Sequence, residues 1–493
     1  MTTFSSTAQA TAHSEKPYRT GTLEYTRAAL LTMFFWLLWG DFCVMIMESV
    51  VPNLVPVQLN ALGASSTVIG FIMGTVGSIM NFILNPIFST WSDRHRGKLG
   101  RRRPFLLWAT PVVTICLIMI GYSGRFTPAL YAALPWLHTF VSAQQFAIAV
   151  TGILVVIFTF FNLFIMTIFF YLAPDVVPER VLGKFIACFR IAGMLAGFAF
   201  NQWILGYADK HPEIIYLSTG LLYMTAFLLL VWRVKEGEYP PPPKTKRAGL
   251  LRMASRYAKE SFSDPFYRLL FLVTAMSQAL PTASRIFLVL YATKDLGLSM
   301  ADYGKAIAMG SLLSIPALIV AGIMADKFHP IRMAIVGNIL VAAVNFCCFF
   351  LIHDHSSFYF WIILLTVVQM FAYGAASPLF ARVMARHYFG QLCSANAVVC
   401  SLIGIPAPLI VGKIIDVAGS NLYLFLWSAL FCSFGAVGYW ALYRKWLQMG
   451  GDLHYEAPLP PLEEAEDSEQ DNNIMAKVVA KSSIAETPST PVQ

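Results

Sequence analysis

Twelve apolar stretches, most of them long enough for an α-helix to cross the hydrocarbon layer of a bilayer, leave this chain one class of fold. They fall at 29–51, 67–91, 104–122, 146–173, 184–207 and 214–232, and again at 267–292, 302–325, 331–352, 358–381, 391–415 and 421–444. The chain is 57% hydrophobic and 13% charged, against about 25% charge in soluble domains, and its mean hydropathy is +0.62. The short alternating segments of a transmembrane barrel are absent. The expectation is an all-α membrane protein of twelve transmembrane helices. An even number of crossings puts both termini on one side.

Charge says which side. The formal net charge is +8, and it is concentrated in two places. The loop after the second span carries Arg94, Arg96, Lys98, Arg101, Arg102 and Arg103, and the segment after the sixth carries Arg233, Lys235, Lys244, Lys246, Arg247, Arg252, Arg256 and Lys259. The opposite loops hold only scattered charges such as Arg125, Lys210 and Lys294. Under the positive-inside rule both termini and the central linker are cytoplasmic, in a cell inner or plasma membrane. The basic balance is thus a topology signal, and no nucleic-acid partner is expected. Residues 1–28 are polar and lack the apolar core of a signal peptide, so the first span is expected to be retained. The eight cysteines lie in or beside apolar segments without CxxC or zinc spacing, which marks them as small packing residues. No phosphate-binding Gly-x-x-x-x-Gly-Lys-Ser/Thr loop, catalytic triad or metal-ligand cluster occurs. The expectation is therefore no enzyme, no ATP drive, no metal and no cofactor.

The two halves echo each other. After the second span comes Ser92-Asp93-Arg94, with further positive charge to Arg103; after the eighth comes Ala325-Asp326-Lys327, with Arg332 following. The loops after spans four and ten also match, each ending in Gly and a polar residue (Gly183-Lys184 and Gly390-Gln391). Duplicated six-helix halves are a mark of secondary transporters. The resulting division is a cytoplasmic N-terminal segment 1–28, a bundle 29–232, a linker 233–266, a second bundle 267–446 and a disordered tail 447–493. The linker contains four consecutive prolines at 240–243, which favour an extended chain, and then an amphipathic helix from Leu250 to Phe262. The longest outer loop is expected at 123–145, with Trp136 and Phe140 resting at the interface.

On these residues the chain, over about 25–445, resembles the major facilitator superfamily, whose loop signature is Gly-x-x-x-Asp-Arg/Lys followed by Gly and basic pairs. Ser89 replaces the first glycine in one half and Gly322 keeps it in the other. Within that superfamily, Ser92-Asp93-Arg94 with Gly100-Arg101-Arg102-Arg103-Pro104-Phe105 is similar to the sucrose–proton symporters and the glycoside–pentoside–hexuronide cation symporters. The resemblance implies the major facilitator fold and secondary active transport. A carboxylate at Asp93 can accept from the positive N-terminus of a neighbouring helix. Asp93, Arg94, Arg101, Arg102, Arg103, Asp326, Lys327 and Arg332 are accordingly expected to hold the halves closed on the cytoplasmic side.

Ionisable residues within spans are expensive and mark function. Asp41 and Glu48 lie seven apart on nearly one face of the first helix. Burial favours the protonated form of a carboxyl group, so both are proton-coupling candidates. Arg190, among small residues in the fifth span, can bond sugar hydroxyls or pair with Asp41. Arg285 and Lys413 are expected to snorkel outward. The resemblance implies sugar contact for Asp41, in Gly40-Asp41-Phe42, and for Arg190, which precedes Leu195-Ala196-Gly197-Phe198. The family's cation-binding aspartates fall on Asn81 and Asn85, which carry no titratable proton; a helix-four aspartate falls near Met166. These departures count against sodium and leave a proton as the expected coupling ion, with sodium not excluded. Uncharged candidates for a hydroxyl-rich ligand include Asn162, Asn201, Gln202, Gln278, Asn345, Gln369 and Asn396, with Trp36, Trp39 or Tyr373 for stacking. The expected substrate site is a midplane cavity holding Asp41, Asn81, Asn85, Asn162, Arg190, Gln278, Gln369 and Tyr373. The expected function is proton-coupled symport of a sugar or glycoside by a monomer. A nucleoside or drug–proton transporter and a non-transporting nutrient sensor are the alternatives.

Overall fold

The computed structural model describes residues 18–95, 97, 99–237 and 250–459, with some side chains left out. Among them, twelve helices are long and apolar enough to cross a membrane. They are α1 Arg27–Ala61, α2 Ser66–Leu84 (its helix running on to Arg94), α3 Arg103–Ala132, α4 Ala143–Val176, α5 Glu179–Asp209 and α6 Pro212–Arg233. The second half gives α7 Pro265–Asp295, α8 Met300–Phe328, α9 Pro330–Leu351, α10 His355–Val383, α11 Phe389–Ala418 and α12 Tyr423–Gln448. Side-chain oxygens of Thr26, Ser65, Ser142, Ser299 and Asp354 accept from first-turn N–H groups and start α1, α2, α4, α8 and α10.

The duplication extends to packing. In the first half α1 packs on α5 and α6, α3 on α4 and α6, and α2 on α4. In the second, α7 packs on α11 and α12, α9 on α10 and α12, and α8 on α10.

The halves meet at the ends remote from the linker, here called the far side, in two matching seams. In one, a Cβ on Gly70 of α2 would collide with the Pro408 carbonyl of α11, and one on Gly412 with the Ser66 carbonyl. In the other, a Cβ on Gly304 of α8 would collide with the Asn201 carbonyl of α5. Each seam ends in a carboxylate on a helix N-terminus. Asp416 accepts from Ser66 N–H at 2.7 Å, Thr67 N–H at 2.9 Å and the Thr67 hydroxyl at 2.6 Å. Asp209 accepts from Met300 N–H at 3.0 Å. Four residues separate Ser66 from Gly70 and Met300 from Gly304; eight separate Pro408 from Asp416 and Asn201 from Asp209. The two seams therefore share one register.

Two differences from the sequence reading have physical causes. The loop expected at 123–145 is shorter, because α3 continues to Ala132 and a 3-10 turn follows at Pro135–Thr139. The helix runs unbroken through 123–125, where Arg125 pairs with Glu213 at the start of α6, at 2.5 Å. Trp136 and Phe140 are 65% and 79% exposed. The tail expected to be disordered from 447 is ordered as far as 459: Tyr455 donates to the Val383 carbonyl at 2.7 Å, and Tyr267 donates to the Pro458 carbonyl at 2.8 Å. Residues 460–493 lie outside the described residues, as do the prolines at 240–243. In the N-terminal segment, Tyr18–Thr20 and Leu23–Tyr25 form a two-stranded antiparallel hairpin. The linker helix occupies Leu250–Phe262, as its amphipathic pattern predicts.

Between α8 and α9 the backbone turns at His329 with φ 74. Its Nδ1 accepts from Ile331 N–H at 3.3 Å, and the ring lies against Trp446 with centroids 4.3 Å apart. Burial holds the imidazole below its ordinary value, which favours the neutral form in the folded chain. A group whose folded value is depressed and whose neutral form is favoured stabilises above its unfolded value, about 6.5. That contribution is lost as pH falls through the folded value. Thermal melting at about pH 7.5 and about pH 5 is expected to show a larger loss for the wild type than for His329→Gln; equal losses would reject the assignment.

Candidate functional site

A cavity runs into the second half in two lobes that share Pro281, Arg285, Gln369 and Met370. The lobe nearer the linker encloses about 380 Å³ between α7, α9, α10 and α12, with Gln278, Thr282, Asn338, Tyr373 and Tyr439 on its walls. The far lobe, about 420 Å³, carries Ser284, Tyr303, Ser311, Ser314, Asn345 and Ser428. The first half contributes Pro52 and Asn53 from α1 and Met194, Phe198 and Asn201 from α5 to that lobe. Gln278, Thr282, Arg285 and Tyr373 are exposed although they sit inside spans, so solvent reaches them. With the far side sealed, the access is from the linker side.

Helix α7 is built to make this space. It is interrupted by π-turns at Ala275–Ala279 and Tyr291–Asp295 and a 3-10 turn at Arg285–Phe287. Such wide and tight turns shift the register of a helix face and frequently mark functional segments. Most of the lining hydroxyls and amides have internal partners. Ser284 and Ser428 share a hydrogen bond of 2.7 Å, and Asn345 Nδ2 donates to the Val341 carbonyl at 2.8 Å. Asn201 Nδ2 donates to the Gly197 carbonyl at 2.8 Å, while its buried Oδ1 has no protein partner.

Of the residues singled out from sequence as candidates for ligand contact, Gln278, Gln369, Tyr373, Asn201 and Asn345 line the cavity. Asp41, Asn81, Asn162 and Arg190 line neither lobe. The side chain of Asn85 lies outside the described residues. Asp41 is 1% exposed and neither carboxyl oxygen has a hydrogen-bond partner. It lies against Gly193 of α5, where a Cβ would sit 3.4 Å from Oδ2, and feels the charge of Arg190. Glu48 Oε1 accepts from Asn162 Nδ2 at 2.6 Å. The buried hydroxyl of Tyr223, which has no partner, lies within reach of the Glu48 charge.

Arg285 corrects the sequence reading. It does not snorkel to the far surface; its guanidinium donates to Gln369 Oε1 on α10 at 2.5 Å, at the junction of the two lobes. Sequence placed both residues in spans. That they meet is tertiary information with no local signal.

The expected cytoplasmic gate residues brace their own halves. Arg101 and Arg102 both pair with Asp175 at the end of α4, and Arg102 also reaches Ser92. Arg103 binds the Val231 carbonyl of α6. In the second half, Arg382 pairs with Asp326 at 2.9 Å, Arg332 with Asp452 at 2.5 Å and with Tyr443, and Lys327 lies over the Phe328 ring. The side chains of Asp93 and Arg94 lie outside the described residues. The carboxylate that meets a helix N-terminus here is Glu236, which accepts from the N–H groups of Arg101 at 2.8 Å, Arg102 at 2.9 Å and Arg103 at 2.7 Å at the start of α3. Gly100 makes room for it: φ is +99, and a Cβ there would sit 2.7 Å from the Glu236 carboxyl carbon. Glu236→Ala is expected to cost about 1–2 kcal/mol, from loss of a charge-assisted cap at a partly exposed site. Thermal melting of detergent-solubilised protein checks this, and an unchanged melting temperature would refute it.

Among the described residues no group of three or more His, Cys, Asp or Glu side chains could hold a metal ion. The family model described as Major Facilitator Superfamily matches residues 37–408. The sucrose transport protein SUC3 of Arabidopsis thaliana is 35% identical over 72 residues, 15% of this chain and 12% of that protein. Sucrose transport protein SUT5 of Oryza sativa subsp. indica is 42% identical over 48 residues, 10% of this chain and 9% of that one. The chain thus matches about an eighth or less of the length of these curated relatives. Among solved structures, a bacterial homolog to the human lysosomal transporter Spinster, inward-facing and unoccupied, aligns with a TM-score of 0.65 at 13% identity, covering 86% of this chain and 99% of its own. A point mutant of the nucleoside transporter NupG aligns with 0.65 at 11%, covering 84% and 100%. A D-xylose–proton symporter aligns with 0.58 at 13%, covering 84% and 97%. At these identities the likeness is one of fold.

Proposed function

The chain belongs to the Major Facilitator Superfamily, and from that premise we propose that it is a proton-coupled symporter carrying a small hydroxylated solute, a sugar or glycoside, into the cell by alternating access. The observation that carries the reading is the cavity of amides, hydroxyls, three tyrosines and a single arginine, reached from the linker side and sealed on the far side. A hydroxyl-rich solute can replace water at such walls without leaving buried polar groups unsatisfied. The short matches to sucrose transport proteins and the fold shared with a xylose–proton symporter point the same way. A transporter of lipophilic drugs would call for a more apolar lining. The positive loops support a cytoplasmic linker and termini, and on that reading the described state faces inward. Asp41 and Glu48 are the carboxyls available to carry a proton.

The fold shared with NupG keeps a nucleoside as the second reading. Reconstituted protein in liposomes, with the outside made acidic, is expected to accumulate a sugar and to lose that accumulation when a protonophore is added. Uptake of nucleosides and of no sugar would replace the first reading with the second.

A further inference from the structure

We propose that the second half carries a separate binding site for a phosphate group, at its linker-side end and outside the solute cavity. A pocket of about 480 Å³ opens there between the α8–α9 turn, the end of α10, the end of α12 and the ordered stretch of the tail. His329, Arg382, Arg386, Trp446, Asp452 and Tyr455 stand on its walls, and it shares no residue with either lobe of the cavity. The site therefore stands whatever the transported solute is. Its unengaged side-chain groups are donors. His329 Nδ1 accepts from Ile331 N–H, so the neutral ring carries its proton on Nε2, which makes no hydrogen bond among the described residues. Trp446 is 1% exposed, and its indole N–H has no partner. The two rings lie together, with centroids 4.3 Å apart. The Tyr455 hydroxyl already donates to the Val383 carbonyl. The charges pair off with one left over. Arg332 holds Asp452 and Asp326 holds Arg382, whereas the exposed Arg386 has no acidic partner among the described residues. A buried N–H without an acceptor is costly, and the guanidinium in the same pocket supplies the fork that phosphate oxygens match. The duplication points the same way. In the first half the segment after α6 brings Glu236 onto three N–H groups at the start of α3. In the second half the segment after α12 brings Asp452 to the start of α9, where it takes the side chain of Arg332 instead. Where one half seats its own carboxylate, the other leaves donors open to an anion from outside. A phosphate monoester, with three acceptor oxygens and about −1.5 to −2 charge, can answer His329, Trp446 and Arg386 together. Both a phosphorylated metabolite and a lipid headgroup present that chemistry.

The test is a thermal-shift titration of the purified full chain with inorganic phosphate and with glucose 6-phosphate, against sodium chloride at matched ionic strength. A second arm compares nanodiscs of phosphatidylcholine with and without phosphatidate. A phosphate ligand is expected to raise Tm saturably in the wild type. Phosphate also stabilises proteins by exclusion from their surface; every variant shares that effect, so the difference between chains reads the site. Arg386→Gln, at an exposed position, is expected to weaken the saturable response about tenfold. Trp446→Phe, which keeps a ring and removes the N–H, is expected to weaken it about threefold. Arg285→Gln, in the solute cavity, is expected to leave it unchanged. Saturation by inorganic phosphate or glucose 6-phosphate, weakened in Arg386→Gln, would support the site and assign it a soluble ligand. Stabilisation by phosphatidate alone, weakened in the same variant, would support the site and assign it a lipid headgroup. A response undiminished in both Arg386→Gln and Trp446→Phe, a response lost in Arg285→Gln, or no saturable response to any of the phosphates would overturn the proposal.

Discussion

Gly304→Leu and Gly70→Leu, singly or together, are expected to prevent closure of the far side and to reduce transport by well over tenfold. In the described state each glycine faces a carbonyl of the opposite half, Asn201 for Gly304 and Pro408 for Gly70. The obstacle is backbone, so no rotamer change can make room. Separation of the helices is the only response. Inserting even part of a side chain into a well-packed contact costs about 1–3 kcal/mol, which moves a two-state equilibrium by roughly fivefold to 150-fold per seam. The readout is labelling of a cysteine placed at Ser311, in the far lobe, by a membrane-impermeant thiol reagent added outside cells, in a chain whose native cysteines have been replaced. Leucine at either glycine is expected to speed labelling sharply. Asp416→Asn and Asp209→Asn are expected to act in the same direction more weakly, since each removes charge and keeps a hydrogen-bond acceptor. Unchanged labelling in both glycine variants would remove the seams from the mechanism.

Asp41→Asn is expected to abolish accumulation driven by a pH gradient while leaving exchange of solute across the membrane intact. Neither Asp41 oxygen has a hydrogen-bond partner, and the residue, on α1, is shut away against Gly193 of α5. A carboxylate so placed is satisfied by a proton or by Arg190, whose charge already acts on it. Binding a proton in one state and releasing it to Arg190's influence in the other would tie proton movement to the rocking of the halves. With one proton per solute, a gradient of about one pH unit supports about tenfold accumulation. In Asp41→Asn the ratio is expected to fall to about one. If Asp41→Asn keeps the gradient-driven ratio and Glu48→Gln loses it, the proton travels with the Glu48–Asn162 pair.

The twelve helices were legible because a span announces itself locally, by length and apolar content, and because two echoed loops revealed the duplication. The cavity was legible in part. Gln278, Gln369 and Tyr373 stood out as polar or aromatic residues in apolar runs, and they line it. Asn162 and Asn81 carried the same signal, yet Asn162 holds Glu48 and neither residue lines a lobe. Periodicity alone does not tell which face of a helix meets the centre when every face is apolar. Arg285 was misread because its distance from the span end permits both snorkelling and inward reach. The choice depends on Gln369, in another helix. Glu236 was missed for a similar reason: its partners are backbone N–H groups more than a hundred residues earlier in the chain.

The far-side seams carry a consequence for how this surface can drift over evolution. Asp416 and Asp209 grip peptide N–H groups, and Gly70 and Gly304 lie against peptide carbonyls. Half of each contact is therefore the main chain, which every sequence shares. Positions 66 and 300 can exchange side chains while still offering the same N–H donor, so the protein should tolerate wide variation there and almost none at 70, 304, 209 and 416.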